Sequence, residues 1–411
     1  MSQHKTTPKL RFQEFSTSWA LSKLGDFYSF KNGINADRDQ YGSGAKFINV
    51  LDVLQQFPIT YESIQGKVDV NEKVFDKNAV TKGDLLFQRS SETREDVGTS
   101  NVYISNEPVT FGGFVIRGKP KLPTNPLYMN YLLKSSKARK EITEKSGGST
   151  RYNVGQETLS AVNLYVSTDK QEQQKIADFL TAVDTKINQL TEKHRLLKEY
   201  KKGVMQQIFS QQLRFKDKDG KAFPEWKSYP LKKVLSLQSD TLNMLDDETY
   251  ELITVKRGFG GVVSRGLFKG KDVLVKNQFT IHENEFVISK RQIVHGACGL
   301  VPAALNGAIV SNEYNVFRPV EHLLDIDYFN RFTATPLMRR AFFINSDGVH
   351  IEKLLFKTQS WLKTKVTLPC LEEQQKIAQF LQALDSKIAA VSEQIEQTKQ
   401  FKKGLLQQMF V

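Results

Sequence analysis

The chain has 411 residues, too many for one ordinary core, so two domains are expected, and 39% hydrophobic content with 27 Phe and 13 Tyr excludes a disordered chain. Its only two cysteines, Cys298 and Cys370, exclude a disulfide framework. No apolar run approaches the roughly 18 residues of a membrane span, and the net charge of +13 points to a polyanionic partner, usually nucleic acid.

In chain order, the opening "MSQHKTTPKLRF" is polar and lacks the apolar core of a signal peptide, which suits a cytoplasmic protein. Between about 20 and 165, short apolar runs alternate with Gly, Asn, Asp and Lys. "KFINVLDV", "DLLFQR", "SNVYI" and "FGGFVIRG" predict strands closed by turns. A helical stretch, "LYMNYLLKSSKARKEITEKS", and a buried strand, "NLYVS", complete a mixed α/β domain over 1–170.

Residues 171–211 predict one long helix. There is no Pro, and good helix formers dominate. Ile176, Leu180, Val183, Ile187, Leu190, Leu197, Val204 and Ile208 step by alternating fours and threes when counted through His194 and Lys201. That is a heptad seam. An amphipathic helix lying on its own domain is the alternative.

A second domain is expected over 212–371. "YELITVKRG", "DVLVK", "EFVISKR" and "NVFRPV" predict strands, "DYFNRFTATPLMRRAFFI" a helical stretch and "KVTLP" a closing strand. Over 372–411 the long helix returns: "EQQKIADFL" at 172–180 becomes "EQQKIAQFL" at 373–381, and the match continues to "KKGVMQQIF" and "KKGLLQQMF". Its seam is Ile377, Leu381, Leu384, Ile388, Val391, Ile395, Leu405 and Met409. Lys201 and Lys402 interrupt the seams, and Gly203 and Gly404 loosen them, so a register break or a partner contact is expected there.

The repeat extends faintly outside the helices. "QQLRF" at 211–215 echoes "PKLRF" at 8–12, and Trp226 echoes Trp19. The predicted fold is therefore α+β: two mixed α/β domains separated by two long antiparallel coiled-coil helices, as a pseudo-two-fold internal repeat. Unbroken, each helix would reach up to ~57 Å, with a domain at each end.

This order of variable domain, "EQQKIADFL" helix, variable domain, "EQQKIAQFL" helix resembles the specificity (S) subunit of type I restriction-modification systems, over essentially the whole chain. The resemblance implies that each variable region is a target recognition domain reading half of a split site in double-stranded DNA. It also implies that the helices serve as spacer and docking surface for two methyltransferase (M) subunits, which bind S-adenosylmethionine and methylate adenine. Restriction (R) subunits would add ATP- and Mg-dependent translocation and cleavage. No cofactor or catalytic residue is expected on this chain, and no membrane partner.

The residues agree on chemistry. There is no GxxxxGK[ST] run and no Pro-Pro, so neither a P-loop nor an amino-methyltransferase motif is present. His282, His295 and Cys298 match no zinc spacing. A stand-alone nuclease and a coiled-coil adaptor that binds only protein are the competing classes. Base reading needs directional donors and acceptors. Candidates in the first domain are Arg89, Ser90, Ser91 and Arg94 after a strand, and Ser149, Thr150, Arg151 and Tyr152 in a glycine-rich loop. In the second they are Lys256, Arg257, Lys290, Arg291, Gln292, His295 and His350, with Arg291 paralleling Arg89. For partner docking the repeated glutamines stand out: Gln173, Gln174, Gln206, Gln207, Gln374, Gln375, Gln407 and Gln408.

Overall fold

The structure is a computed structural model that describes residues 7–350 and 354–411. The chain forms two compact units, Met1–Lys193 with Val391–Val411, and His194–Ala390. The long helices are Lys170–Phe209 and Leu371–Gln408, so each unit owns the first part of one helix and the last part of the other.

In the first unit Asp169 starts its helix, its carboxylate accepting from the backbone N–H of Gln171 at 2.8 Å and of Glu172 at 3.3 Å. Ile176, Leu180, Val183 and Ile187 then share one apolar core with Leu405 near the end of the second helix, with Met409 and Phe410 just after it, and with the domain's Trp19, Tyr28 and Tyr128. In the second unit Val204 and Ile208 share a core with Ile377, Leu381 and Leu384, and with Phe317, Phe329 and Trp361. The seam is thus continuous with each domain's interior, which fixes the domain against its helix pair.

The frame of the two domains is the same. In the first, a four-stranded antiparallel sheet has the order Tyr28–Asn32, Val115–Pro120, Leu85–Gln88, Ser100–Val102. In the second the order is Leu235–Gln238, Tyr314–Pro319, Phe286–Ser289, Cys298–Leu300. Beside each sheet a two-stranded pair brings the domain's ends together: Ala20–Lys23 with Asn163–Val166, and Lys227–Pro230 with Lys365–Leu368. The accessory sheets differ, with three strands in the first domain and five in the second.

Three expectations change. "KFINVLDV" is not one strand: the strand stops at Ile48, and Asn49 caps a helix, Val50–Leu54, in a box closed by Asp52. "DVLVK" forms no strand, because Gly270–Asp272 turns tightly and the chain stays irregular until Gln278. Each predicted helical stretch is two helices, Pro126–Leu133 with Ser136–Lys145 and Ile326–Phe332 with Pro336–Ile344, because Ser135 and Thr335 cap a new start. Among the described residues no helix is long and apolar enough to cross a membrane.

Candidate nucleic-acid interface

In the first domain the third strand of the sheet ends at Gln88 and runs into Arg89, Ser90 and Ser91. Ser90–Ser91 pairs antiparallel with Tyr152–Asn153, Val154 N–H donates to the Arg89 carbonyl at 3.0 Å, and Ser90 Oγ donates to Asn153 Oδ1 at 2.5 Å. Arg94 Nε donates to the Thr143 carbonyl at 3.1 Å, so both predicted loops form one patch. Ser149, Thr150 and Arg151 are exposed on it. Gly148 makes that loop possible: its φ is +112°, and a Cβ would lie 1.9 Å from the Arg151 carbonyl oxygen.

The second domain builds its patch at the same place in the frame. Phe286–Ser289 runs into Lys290, Arg291 and Gln292, and Phe356 N–H donates to the Lys290 carbonyl at 2.9 Å. His350 is exposed in the loop between the paired strands Ser346–Asp347 and Leu355–Phe356. Gly258 and Phe259 donate their N–H groups to the carbonyls of His295 and Gly296 at 2.7 and 2.8 Å, which brings exposed Lys256 and Arg257 to the patch. Both patches thus depend on backbone bonds between distant segments that no local pattern displays.

One correspondence shifts. Gln88 lies opposite Val115 and Ser289 opposite Tyr314, so Arg89 is matched by Lys290 rather than by Arg291. Both cations make the same contact: Arg89 Nη1 donates to the Gly113 carbonyl at 3.2 Å and Lys290 Nζ to the Asn312 carbonyl at 2.5 Å. Arg291, one residue further on, pairs with Glu313 at 2.7 Å while remaining exposed. An ion pair this open contributes little to stability, so Arg291 can exchange partners at small cost.

Among the described residues no group of three or more His, Cys, Asp or Glu side chains could hold a metal ion. Cys298 is buried against Thr333, and burial pushes its thiol up to about 12, which suits packing rather than nucleophilic work. His282 Nε2 lies 3.1 Å from Asp240 Oδ2.

The repeated glutamines divide. Gln173 and Gln374 are buried and serve their own domains, a correction to the expectation that both would face a partner. Gln173 accepts from Asn125 N–H at 3.0 Å and donates to the Ser167 carbonyl at 2.8 Å. Gln374 accepts from Asp325 N–H at 2.9 Å and donates to the Leu323 and Pro369 carbonyls at 2.8 and 3.0 Å. Gln174, Gln206, Gln207, Gln375, Gln407 and Gln408 remain exposed. Gln206 and Gln207 line a cavity of about 1170 Å³ together with Met205, Phe209, Phe332 and Leu337.

Beside those glutamines stand residues that the sequence reading passed over. Glu172, fully buried, accepts from Arg11 Nε at 2.6 Å, Trp19 Nε1 at 3.0 Å and Ser167 Oγ at 2.5 Å. Glu373, also fully buried, accepts from Arg214 Nη2 at 2.8 Å and Trp226 Nε1 at 3.1 Å. The signal was present as "LRF" and a following Trp before each domain, with a Glu at the same place in each helix copy. The seam lysines also find partners. Lys402 Nζ pairs with Asp184 at 2.6 Å in the first unit, and Lys201 pairs with Asp385 in the second. Both helices run unbroken through Gly203 and Gly404.

Comparison with known proteins places these features together. A family model described as the type I restriction modification DNA specificity domain matches residues 17–198 and again 225–400. The type I restriction enzyme MjaX specificity subunit of Methanocaldococcus jannaschii is 22% identical over 422 residues, covering 97% of this chain and 94% of that protein. The crystal structure of a type I restriction-modification system S subunit from M. genitalium matches with a TM-score of 0.58 at 13% identity, covering 98% of this chain and 99% of the other. A chain from a structure concerned with complex assembly and conformational transition of the type I R-M system matches at 0.55 with 14% identity, covering 94% and 96%. At these identities the solved structures speak for the fold, two α+β repeats carrying long helices.

Proposed function

The chain belongs to the type I restriction-modification DNA specificity family, and from that membership we propose that its two recognition domains each read one half of a bipartite, asymmetric site in double-stranded DNA. The observation that carries this reading is one frame with two surfaces. The third strand of each four-stranded sheet ends in a patch pinned by the same backbone bond, Val154 to Arg89 and Phe356 to Lys290, yet the side chains presented differ. Arg89, Ser90, Ser91 and Arg151 offer one set of donors and acceptors, and Lys256, Arg257, Lys290 and Arg291 another. Unlike donor sets read unlike base edges.

The helices set the gap between half-sites and dock two methyltransferase subunits through the exposed glutamines Gln174, Gln206, Gln207, Gln375, Gln407 and Gln408. Restriction subunits join that complex. The chain itself contributes recognition without catalysis, and S-adenosylmethionine, ATP and Mg act on the partner subunits.

Methylome sequencing of cells that carry the matched methyltransferase subunit, with and without this chain, tests the reading. The expected result is a two-part adenine-methylated motif that appears only when the chain is present. Methylation of the same sites in its absence, or of a continuous motif, would overturn it.

A further inference from the structure

Resting on the reading that the first domain contacts DNA, we propose that Phe114 is a specificity-determining residue that touches the C5 methyl group of a thymine in one half-site. Phe114 sits at the turn between the strands Thr110–Phe111 and Val115–Pro120. Phe111 and Val115 are fully buried, whereas Phe114 is 67% exposed. The turn is clamped in place. Gly112 N–H donates to the Ile48 carbonyl at 3.0 Å and Gly113 N–H to the Ile34 carbonyl at 2.8 Å, while Arg89 N–H donates to the Phe114 carbonyl at 3.0 Å. A Cβ on Gly113 would lie 1.8 Å from Asn35 Oδ1, so the backbone is packed against its neighbour there. The phenyl ring is thereby held at the margin of the patch made by Arg89, Ser90 and Ser91.

The second domain supplies the control. Because Val115 and Tyr314 hold the same register, the residue matching Phe114 is Glu313, which accepts from Arg291. The frame accommodates a carboxylate at this position, so the fold does not require a phenyl ring. A single exposed apolar side chain is ordinary on a protein surface. This one is set among cations and hydroxyls at the end of a recognition strand. On base edges in the major groove the apolar group on offer is the thymine methyl.

The test uses the full chain assembled with its methyltransferase subunits, and duplexes in which each thymine of the methylated site is replaced in turn by deoxyuridine. One replacement, in one half-site, should weaken wild-type binding roughly fourfold, the worth of burying one methyl group. The same replacement should leave Phe114→Ala unaffected. Phe114→Glu, which installs the second domain's residue, should bind the thymine site less well than Phe114→Ala while reading the other half unchanged. The inference is overturned if every replacement acts alike on wild type and Phe114→Ala. It is also overturned if Phe114→Ala releases methyltransferase subunits while the recognised sequence stays the same. In those cases the split-site reading survives, whereas the absence of any split site defeats both.

Discussion

Single side chains do two kinds of work here, and burial separates them. Glu172 and Glu373 are carboxylates taken fully out of water, a state that persists only with directed partners on every side. Their partners come from segments about 150 residues away, Arg11 with Trp19 and Arg214 with Trp226. Each anchor therefore ties the entry segment of a domain to the start of a long helix. Glu172→Ala leaves a part-buried guanidinium, which keeps the Thr17 carbonyl, and a buried indole N–H without this acceptor, and is expected to cost about 1–3 kcal/mol, measured by denaturant unfolding of the full chain. A loss below about 1 kcal/mol would mean that the anchor closes the domain without stabilising it. The patch side chains are the opposite case, since their removal is expected to change recognition and leave stability near its starting value.

Elements repeat more faithfully than the surfaces they carry. Each unit pairs the first part of one long helix with the last part of the other, and one Lys–Asp pair lies within each seam. The two pairs are not energetically equal. Asp184 is 6% exposed and also accepts from Tyr131 Oη at 2.8 Å, while Asp385 is 42% exposed and keeps a second cation, Arg331, at 2.6 Å. Burial opposes the charged form of Asp385, yet hydrogen bonds from Lys201 and Arg331 hold its carboxyl below the usual range. Lys402→Ala is therefore expected to cost about 3 kcal/mol or more by stranding a buried carboxylate. Lys201→Ala is expected to cost under about 1 kcal/mol, because its acid stays solvated and paired. Thermal unfolding of the two variants compares them directly, and equal losses would contradict the argument. The heptad spacing announced the seam, but whether a lysine inside it is a defect or a partner depended on what faced it. The capped breaks at Ser135 and Thr335 were written in the sequence as hydroxyl side chains, which accept from the backbone N–H of Ala138 and of Met338.

For the molecule as a whole, the chain's order is circular. In the second unit the first helix continues covalently into "QQLRF", with Leu213 N–H donating to the Gln207 carbonyl at 3.0 Å. In the first unit "PKLRF" reaches the end of the second helix non-covalently, Leu10 N–H donating to the Gln408 carbonyl at 2.9 Å. If helix length sets the gap, inserting four residues at matching points of both helices should lengthen the gap in the methylated motif and leave both half-sites unchanged. Altered half-sites with an unchanged gap would refute the spacer role. The duplication, the heptad seam and the strand–turn rhythm are local or periodic features, and they already specified two α/β domains with a helix pair. Apart from the repeated "LRF", Trp and Glu of the two anchors, contacts between distant segments left no such trace. Which cations meet at a strand end, that Arg89 answers to Lys290, and that Gln173 and Gln374 turn inward all follow from strand register and burial, which come into being only when the chain closes on itself.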